Sequence, residues 1–123
     1  MRSKHFSVSD YYELLALHRA LLEAQFCDEP NDLDVSASPI ITKLHRNLLE
    51  TLMNVEGSPQ AEEWKDWLKI DPDRREWQVA LKRAKNERQW QNWSNEKKKE
   101  FAFHLLSPFE LDDTLLDHFI GSV

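Results

Sequence analysis

Residues 38–57 read SPIITKLHRNLLETLMNVEG, and this stretch has the start, the apolar stripe and the end of one amphipathic helix. Ser38 is a common N-cap residue, and Pro39 suits the first helical position because an N–H there would have no helical partner. Gly57 is typical of the position just beyond a helix C-terminus. The stretch therefore predicts a helix from Pro39 to about Glu56. Its apolar stripe is Ile41, Leu44, Leu48 and Leu52.

Proline placement predicts more helices of this kind. A serine or an aspartate directly precedes proline at four places. A chain with only two glycines also has few positions for the positive-φ turns that a sheet protein needs. The sequence therefore predicts an all-α fold, a compact single domain over residues 1–123 with about six helices. The four pairs are Ser38-Pro39, Ser58-Pro59, Asp71-Pro72 and Ser107-Pro108.

Caps and apolar spacing place the remaining helices. The first is predicted to begin at Ser7, which forms a capping box with Asp10, and its leucines recur to about Phe26. The other predicted spans are Pro59 to about Lys69, a fourth helix from Pro72, about Asn95 to Leu106, and Pro108 to Ile120 with its end at Gly121.

Composition is typical of a soluble globular domain. The chain has 123 residues, of which 41% are apolar and 31% charged. Its one cysteine, Cys27, excludes an internal disulfide and fits a reducing compartment, and the neighbouring Asp28 and Glu29 disfavour a reactive thiolate. Residues 1–9 lack the apolar run of a secretory signal, and no stretch reaches the ~18 apolar residues of a membrane span. We therefore expect a cytoplasmic protein without a membrane partner.

Charge is segregated along the chain. The net charge is −6, but residues 74–99 carry nine basic and three acidic residues. Residues 1–73 carry seven basic and fourteen acidic residues, and residues 100–123 carry five acidic residues and no lysine or arginine. A basic middle therefore separates two acidic ends.

The acidic ends suggest a surface for a basic protein partner. Acidic side chains on one face speed association with a basic partner, whereas the alternative is an ordinary solvated surface. Exposed tryptophans beside such a face would anchor the centre of an interface. The candidate partner-binding residues are Asp28, Glu29, Asp32, Asp34, Glu110, Asp112, Asp113 and Asp117, with Trp90 and Trp93.

The basic middle suggests an alternative, nucleic-acid binding. Cations interleaved with aromatic rings bind single strands, with cations on phosphates and rings stacked on bases. Trp90 and Trp93 cannot share the buried face of Trp77 if the fourth helix continues to them, but a break near Asn86 would let both rings turn inward. The candidate nucleic-acid-binding residues are Arg74, Arg75, Lys82, Arg83, Lys85, Arg88, Lys97, Lys98 and Lys99.

Motifs for catalysis or metal binding are absent from the sequence. It has no glycine-rich phosphate loop, no Cys-x-x-Cys and no His-Glu-x-x-His. A helical bundle could bring His18, His45 and His118 together with Asp113 or Asp117, but the Glu-x-x-His pairs of bundle metal sites are missing. The sequence therefore favours hydrogen-bonded histidines and predicts no metal, no cofactor and no enzymatic activity.

One internal similarity is present. Residues 17–23 read LHRALLE and residues 44–50 read LHRNLLE, which is an offset of 27 residues. The offset suits two helical hairpins related by pseudosymmetry, although leucine-rich amphipathic helices also share such strings by chance.

Together these observations indicate binding rather than catalysis. We expect a small acidic cytoplasmic protein, an immunity or inhibitor protein that protects a bacterium by occluding the active cleft of a basic toxin such as a nuclease. Two alternatives are a helical adaptor or regulatory module of a protein complex, and a nucleic-acid binder that uses residues 74–99. The expected partner is a basic toxin domain, with nucleic acid as the alternative.

Overall fold

The computed structural model describes residues 6–27, 38–54 and 61–123. This part of the chain is 72% helical and contains no strand, which confirms the predicted all-α fold. One turn of 3₁₀ helix spans Trp90–Asn92. The six α-helices of the described residues are α1 (Tyr11–Phe26), α2 (Pro39–Met53), α3 (Ala61–Trp67), α4 (Arg75–Lys85), α5 (Asn95–Leu106) and α6 (Asp113–Ser122).

Helix α2 begins as the sequence predicts. The Ser38 hydroxyl accepts a hydrogen bond from the Ile41 N–H at 3.3 Å, and Pro39 is the first helical residue. The helix ends earlier than predicted, because Asn54 forms the C-cap and its backbone N–H donates to the Glu50 carbonyl. The predicted end at Gly57 and the Ser58-Pro59 start lie outside the described residues.

Two predicted helix starts are wrong, one because another side chain caps the helix and the other because the proline lies in a turn. Asp10, rather than Ser7, caps α1, and its carboxylate accepts from two backbone N–H groups at 3.1 Å. Pro72 lies in a turn that the Asp71 carboxylate stabilises by accepting from the Asp73 N–H at 2.8 Å. Helix α4 therefore begins only at Arg75.

A third predicted start, at Ser107-Pro108, is also wrong. The Ser107 hydroxyl accepts from Arg46 Nε at 2.7 Å and caps no helix, and the Ser107–Pro108 peptide bond is cis. Helix α6 is capped instead by Asp112, whose carboxylate accepts from the Leu115 N–H at 2.8 Å. Gly121 lies inside α6 and does not end it.

The buried side chains form two apolar clusters. One joins α1, α2 and the end of α3, and the other joins α4, α5 and α6 with Phe26 of α1. Trp67 packs against both clusters and so connects them. The first cluster consists of Leu14, Leu48, Leu49, Leu52, Trp64 and Leu68.

The segment between α5 and α6 crosses the end of α3. The Glu110 N–H donates to the Leu68 carbonyl at 2.9 Å, and Phe109 is 98% buried because its ring packs on Phe26 and Trp67. These contacts fix residues 108–111 beside α2. Within the described ranges, no helix is long and apolar enough to cross a membrane.

Candidate partner-binding surface

A cleft of about 640 Å³ separates α2 from the segment that follows α5. Leu49, Leu68 and Phe109 are buried beneath it, and Glu50 and Glu110 lie among its lining residues. Side chains of four structural elements therefore form its walls. The full lining is Arg46, Leu49, Glu50, Met53, Leu68, Phe103, Pro108, Phe109, Glu110 and Leu111.

Two smaller depressions continue this cleft in opposite directions. One, of about 330 Å³, shares Arg46, Glu50 and Phe103 with the cleft and reaches Pro39 and Lys43. The other, of about 460 Å³, shares Glu110 and Leu111 with it and reaches Lys69, Asp112 and Leu115. The three together are called the groove below.

The acidic residues predicted to bind a partner divide into two groups. The four acids between residues 28 and 34 lie outside the described residues. The other four are exposed, and Glu110 and Asp112 line the groove. Asp112 also caps α6, and the Asp117 carboxylate lies 3.6 Å from Lys99 Nζ. The four acids outside the described residues are Asp28, Glu29, Asp32 and Asp34.

Two of these carboxylates, together with Glu50, are not used to hold the fold. Among the residues that the structure describes, the side chains of Glu50, Glu110 and Asp113 have no hydrogen-bond or ion-pair partner. All three residues are exposed. Their negative charge is therefore available to a partner.

Arg46 is the cation that lines the cleft, and its side chain is held by contacts with Ser107 and Phe103. Its Nε donates to the Ser107 hydroxyl, and its guanidinium lies 4.5 Å from the centroid of the Phe103 ring. The cation–π contact and the hydrogen bond fix the side chain away from the acidic end of the groove.

The basic residues predicted to bind nucleic acid are largely used inside the molecule, and Arg74 shows this best. Its Nε lies 3.0 Å from the Glu76 carboxylate, and its Nη1 donates to the carbonyls of Trp67 and Lys69. The guanidinium also lies 4.3 Å from the centroid of the Phe109 ring. Arg74 therefore connects the end of α3 to α4 and to the groove wall.

Arg83 has a similar structural role at the C-terminus of α1. Its two terminal nitrogens donate to the carbonyls of Gln25 and Cys27, the latter at 2.8 Å. Carbonyls at a helix C-terminus lack partners within their own helix, so an arginine from α4 satisfies them. Arg75 pairs with Glu23 of the same helix α1 at 3.4 Å.

The lysines of α5 also contact the protein itself. Lys97 Nζ lies 4.7 Å from the centroid of Trp93, and Lys98 Nζ lies 5.5 Å from that of Trp90. Lys99 pairs with Asp117. Four members of the predicted basic set are exposed on the surface of α4 and the turn after it: Arg75, Lys82, Lys85 and Arg88.

Trp90 and Trp93 belong to the core region instead of an exposed surface. Helix α4 ends at Lys85 with Asn86 as its C-cap. This is the helix end near Asn86 that allows both rings to turn inward. Trp90 is only 4% exposed, and Trp93 is half-buried against Phe101. Trp90 therefore does not offer its ring to a partner in this structure.

Phe103 is the exposed aromatic side chain of the groove, and sequence reasoning missed it. It is 42% exposed on α5, whereas Phe101 and Leu105 of the same helix face the core. Its spacing could have indicated this exposure. At 100° per residue, position 103 lies about 200° around the helix from Phe101 and from Leu105.

Two of the three histidines considered together from the sequence form a buried, hydrogen-bonded pair, as the sequence favours. His18 Nδ1 of α1 lies 2.8 Å from His45 Nε2 of α2, and the rings of Trp64 and Trp67 pack edge-on against His18. Burial, and then the charge of Arg19, lowers the pKa of His18 to about 4. Burial, and then the proximity of His18, lowers the pKa of His45 to about 4.

The wider histidine cluster considered from the sequence does not form. His118 is exposed, and its ring contacts Trp77 at a distance from the pair. No group of three or more His, Cys, Asp or Glu side chains in the described ranges is placed to hold a metal ion.

Comparisons with known protein families, with curated proteins and with solved structures find no match for this chain. Function is therefore inferred from the groove itself. Its chemistry combines an apolar floor, uncommitted carboxylates on its walls and three cations, Lys43, Arg46 and Lys69, of which the last two already contact other side chains.

Proposed function

We propose that this chain is a binding protein for a basic protein partner, and that it acts as an immunity or inhibitor protein for a basic toxin such as a nuclease. One contrast carries the proposal. The carboxylates of Glu50, Glu110 and Asp113 are exposed and uncommitted beside an apolar groove, whereas most cations of residues 74–99, such as Arg74 and Arg83, are engaged in the fold.

Electrostatics supports a basic partner. The chain has a net charge of −6, and its uncommitted carboxylates lie at or beside an apolar groove. Opposite potentials steer two proteins together and raise the association rate, and the buried apolar contacts then slow dissociation. An inhibitor of a nuclease would present these carboxylates in place of substrate phosphates and so block the cationic cleft.

The same contrast weakens the nucleic-acid alternative. A phosphate backbone needs several uncommitted lysines and arginines on one surface, because each contact releases counterions. The guanidinium groups of Arg74 and Arg83 donate hydrogen bonds to backbone carbonyls, and Lys99 pairs with Asp117. An adaptor role would use the same groove, so the identity of the partner separates it from an inhibitor role.

The test begins with the full chain as bait in an extract of its source organism, followed by mass spectrometry. The captured protein is then purified, and its dissociation constant is measured calorimetrically at about 50 and about 300 mM salt, a range over which surface charges become screened. We expect a basic partner, weaker binding at high salt, and loss of the partner's own activity in the complex.

A pair of matched variants locates the surface. Glu110→Lys with Asp113→Lys should weaken binding by about tenfold or more, because like charges then face the partner. Glu63→Lys with Glu100→Lys makes the same change in net charge on exposed residues that do not line the groove and should have a smaller effect. A neutral or acidic partner, or equal weakening by both pairs, would contradict the proposal.

A further inference from the structure

The geometry points to one kind of occupant for the groove: an extended segment of the partner in which a large apolar side chain is flanked by lysine or arginine. This inference rests on the proposed function and specifies what its binding surface recognises. The apolar side chain occupies the central cleft, and the flanking cation binds at the acidic end of the groove.

The cleft suits an apolar anchor because its floor and walls are mainly apolar. Leu49, Leu68 and Phe109 are buried beneath it, and Met53 and Leu111 are half-buried beside it. Its volume of about 640 Å³ lies within the range of protein sites that enclose a bound group. An aromatic or leucine side chain placed there removes apolar surface from water on both sides of the interface.

The walls of the cleft suit a cation beside that anchor. Glu50 lies on α2 and Glu110 lies on the opposite segment, so carboxylates flank the cleft from two elements. Arg46 makes no ion pair with Glu50 among the described residues, because its Nε is bonded to Ser107 and its guanidinium lies over Phe103. Neither carboxylate is therefore held in an ion pair within the described part of the chain.

The charges of the groove also give the bound segment a direction. Lys43 and Arg46 outnumber Glu50 at one end, and Glu110 and Asp112 outnumber Lys69, which is paired with Asp66, at the other. A basic flank is attracted to the Glu110 end and repelled from the Lys43 end. The hydrogen bond between the Glu110 N–H and the Leu68 carbonyl holds the acidic wall in place before a partner arrives.

Two synthetic pentapeptides test the inference on the full chain by amide NMR titration. The first is acetyl-Leu-Trp-Leu-Arg-Arg-amide, which carries its cations on one flank only, and the second replaces both arginines with glutamate. We expect the basic peptide to shift the amide signals of Glu50, Met53, Phe109 and Leu111 with a dissociation constant below about 5 mM, the weak range of a fragment-sized ligand. The acidic peptide should bind at least about tenfold more weakly, because like charges meet.

The variant Glu50→Lys with Glu110→Lys should reverse this preference, and Glu63→Lys with Glu100→Lys should keep it. The inference is overturned if the basic peptide leaves the groove signals unchanged, if both peptides bind equally, or if the reversal variant keeps the original preference. A basic partner could instead bind in a salt-sensitive way that depends on Asp113 but not on the cleft. That result would leave the proposed function in place and overturn only this inference.

Discussion

His18 Nδ1 lies 2.8 Å from His45 Nε2 at the centre of the α1–α2 interface. One nitrogen of this pair carries the proton and donates, and the other accepts, so both rings are neutral in the folded protein. His45 is fully buried, and its Nδ1 has no hydrogen-bond partner among the described residues. The pair is therefore a buried polar contact whose value depends on both partners being present.

Acid should destabilise the protein through this pair. The folded-state pKa of each histidine is about 4, below the unfolded value of 6.5, so the unfolded chain binds more protons between these values. The free energy of unfolding should fall as the pH drops from about 6.5 to about 4, by a few kcal/mol in total, and level off below that. Urea titrations followed by tryptophan fluorescence measure this dependence.

Carboxylates also titrate in the lower part of this range, so the acid experiment needs a variant without the pair. His18→Leu with His45→Leu should flatten the profile between pH 6.5 and 5, where carboxylates change little. An unchanged slope in that variant would show that other groups cause the acid sensitivity.

Removing one histidine should cost more than removing both. His45→Leu leaves His18 Nδ1 buried without its partner, which should lower the free energy of unfolding at pH 7 by about 1–3 kcal/mol. His18→Leu with His45→Leu removes both polar groups and should recover much of that loss, because apolar side chains suit the surrounding leucines and tryptophans. A double-mutant cycle by urea denaturation measures the coupling, and additive losses would argue against it.

The half-buried Arg83 should contribute measurably to stability. Arg83→Met removes the donors that bind the Gln25 and Cys27 carbonyls, and we expect a loss of about 1–3 kcal/mol in the free energy of unfolding. Lys85→Met is the matched control on the same helix, and an exposed lysine there should change stability by less than about 0.5 kcal/mol. Equal thermal denaturation midpoints for the two variants would refute the structural role of Arg83.

Removal of the Asp112 carboxylate should destabilise helix α6 more than removal of the neighbouring Asp113 carboxylate. Asp112→Ala removes the carboxylate that accepts from the Leu115 N–H, and loss of such a cap costs about 1 kcal/mol. Asp113→Ala removes an adjacent exposed carboxylate and should cost less than about 0.5 kcal/mol. Amide hydrogen exchange should show faster exchange at the start of α6 only in the first variant, and similar exchange in both would contradict this cap.

Local patterns predicted the helices well where the capping side chain has no competing contact. Ser38 caps α2 and Ser94 caps α5, and both helices begin at their predicted residues. The starts at Asp71-Pro72 and Ser107-Pro108 were wrong because their side-chain oxygens bond elsewhere, one to a turn N–H and the other to Arg46. An N-cap preference is a short-range effect of about 1 kcal/mol, so a tertiary hydrogen bond can override it.

The candidate surface was only partly predictable for the same reason. The sequence located the acids Glu110, Asp112, Asp113 and Asp117, because charge can be read along the chain. It did not show that Phe103 and Glu50 would line a groove with Glu110, since Glu50 is far from the other two in sequence and meets them only through packing.

By itself the sequence determined the all-α class and the segregation of charge, because both follow from residue type and short-range spacing. Only the tertiary structure decided which charges remain available and which polar groups are buried. The histidine pair shows the difference: the strings at residues 17–23 and 44–50 are visible in the sequence, but the burial of His18 against His45 depends on how α1 packs on α2. Such long-range contacts depend on the whole core rather than on any local pattern.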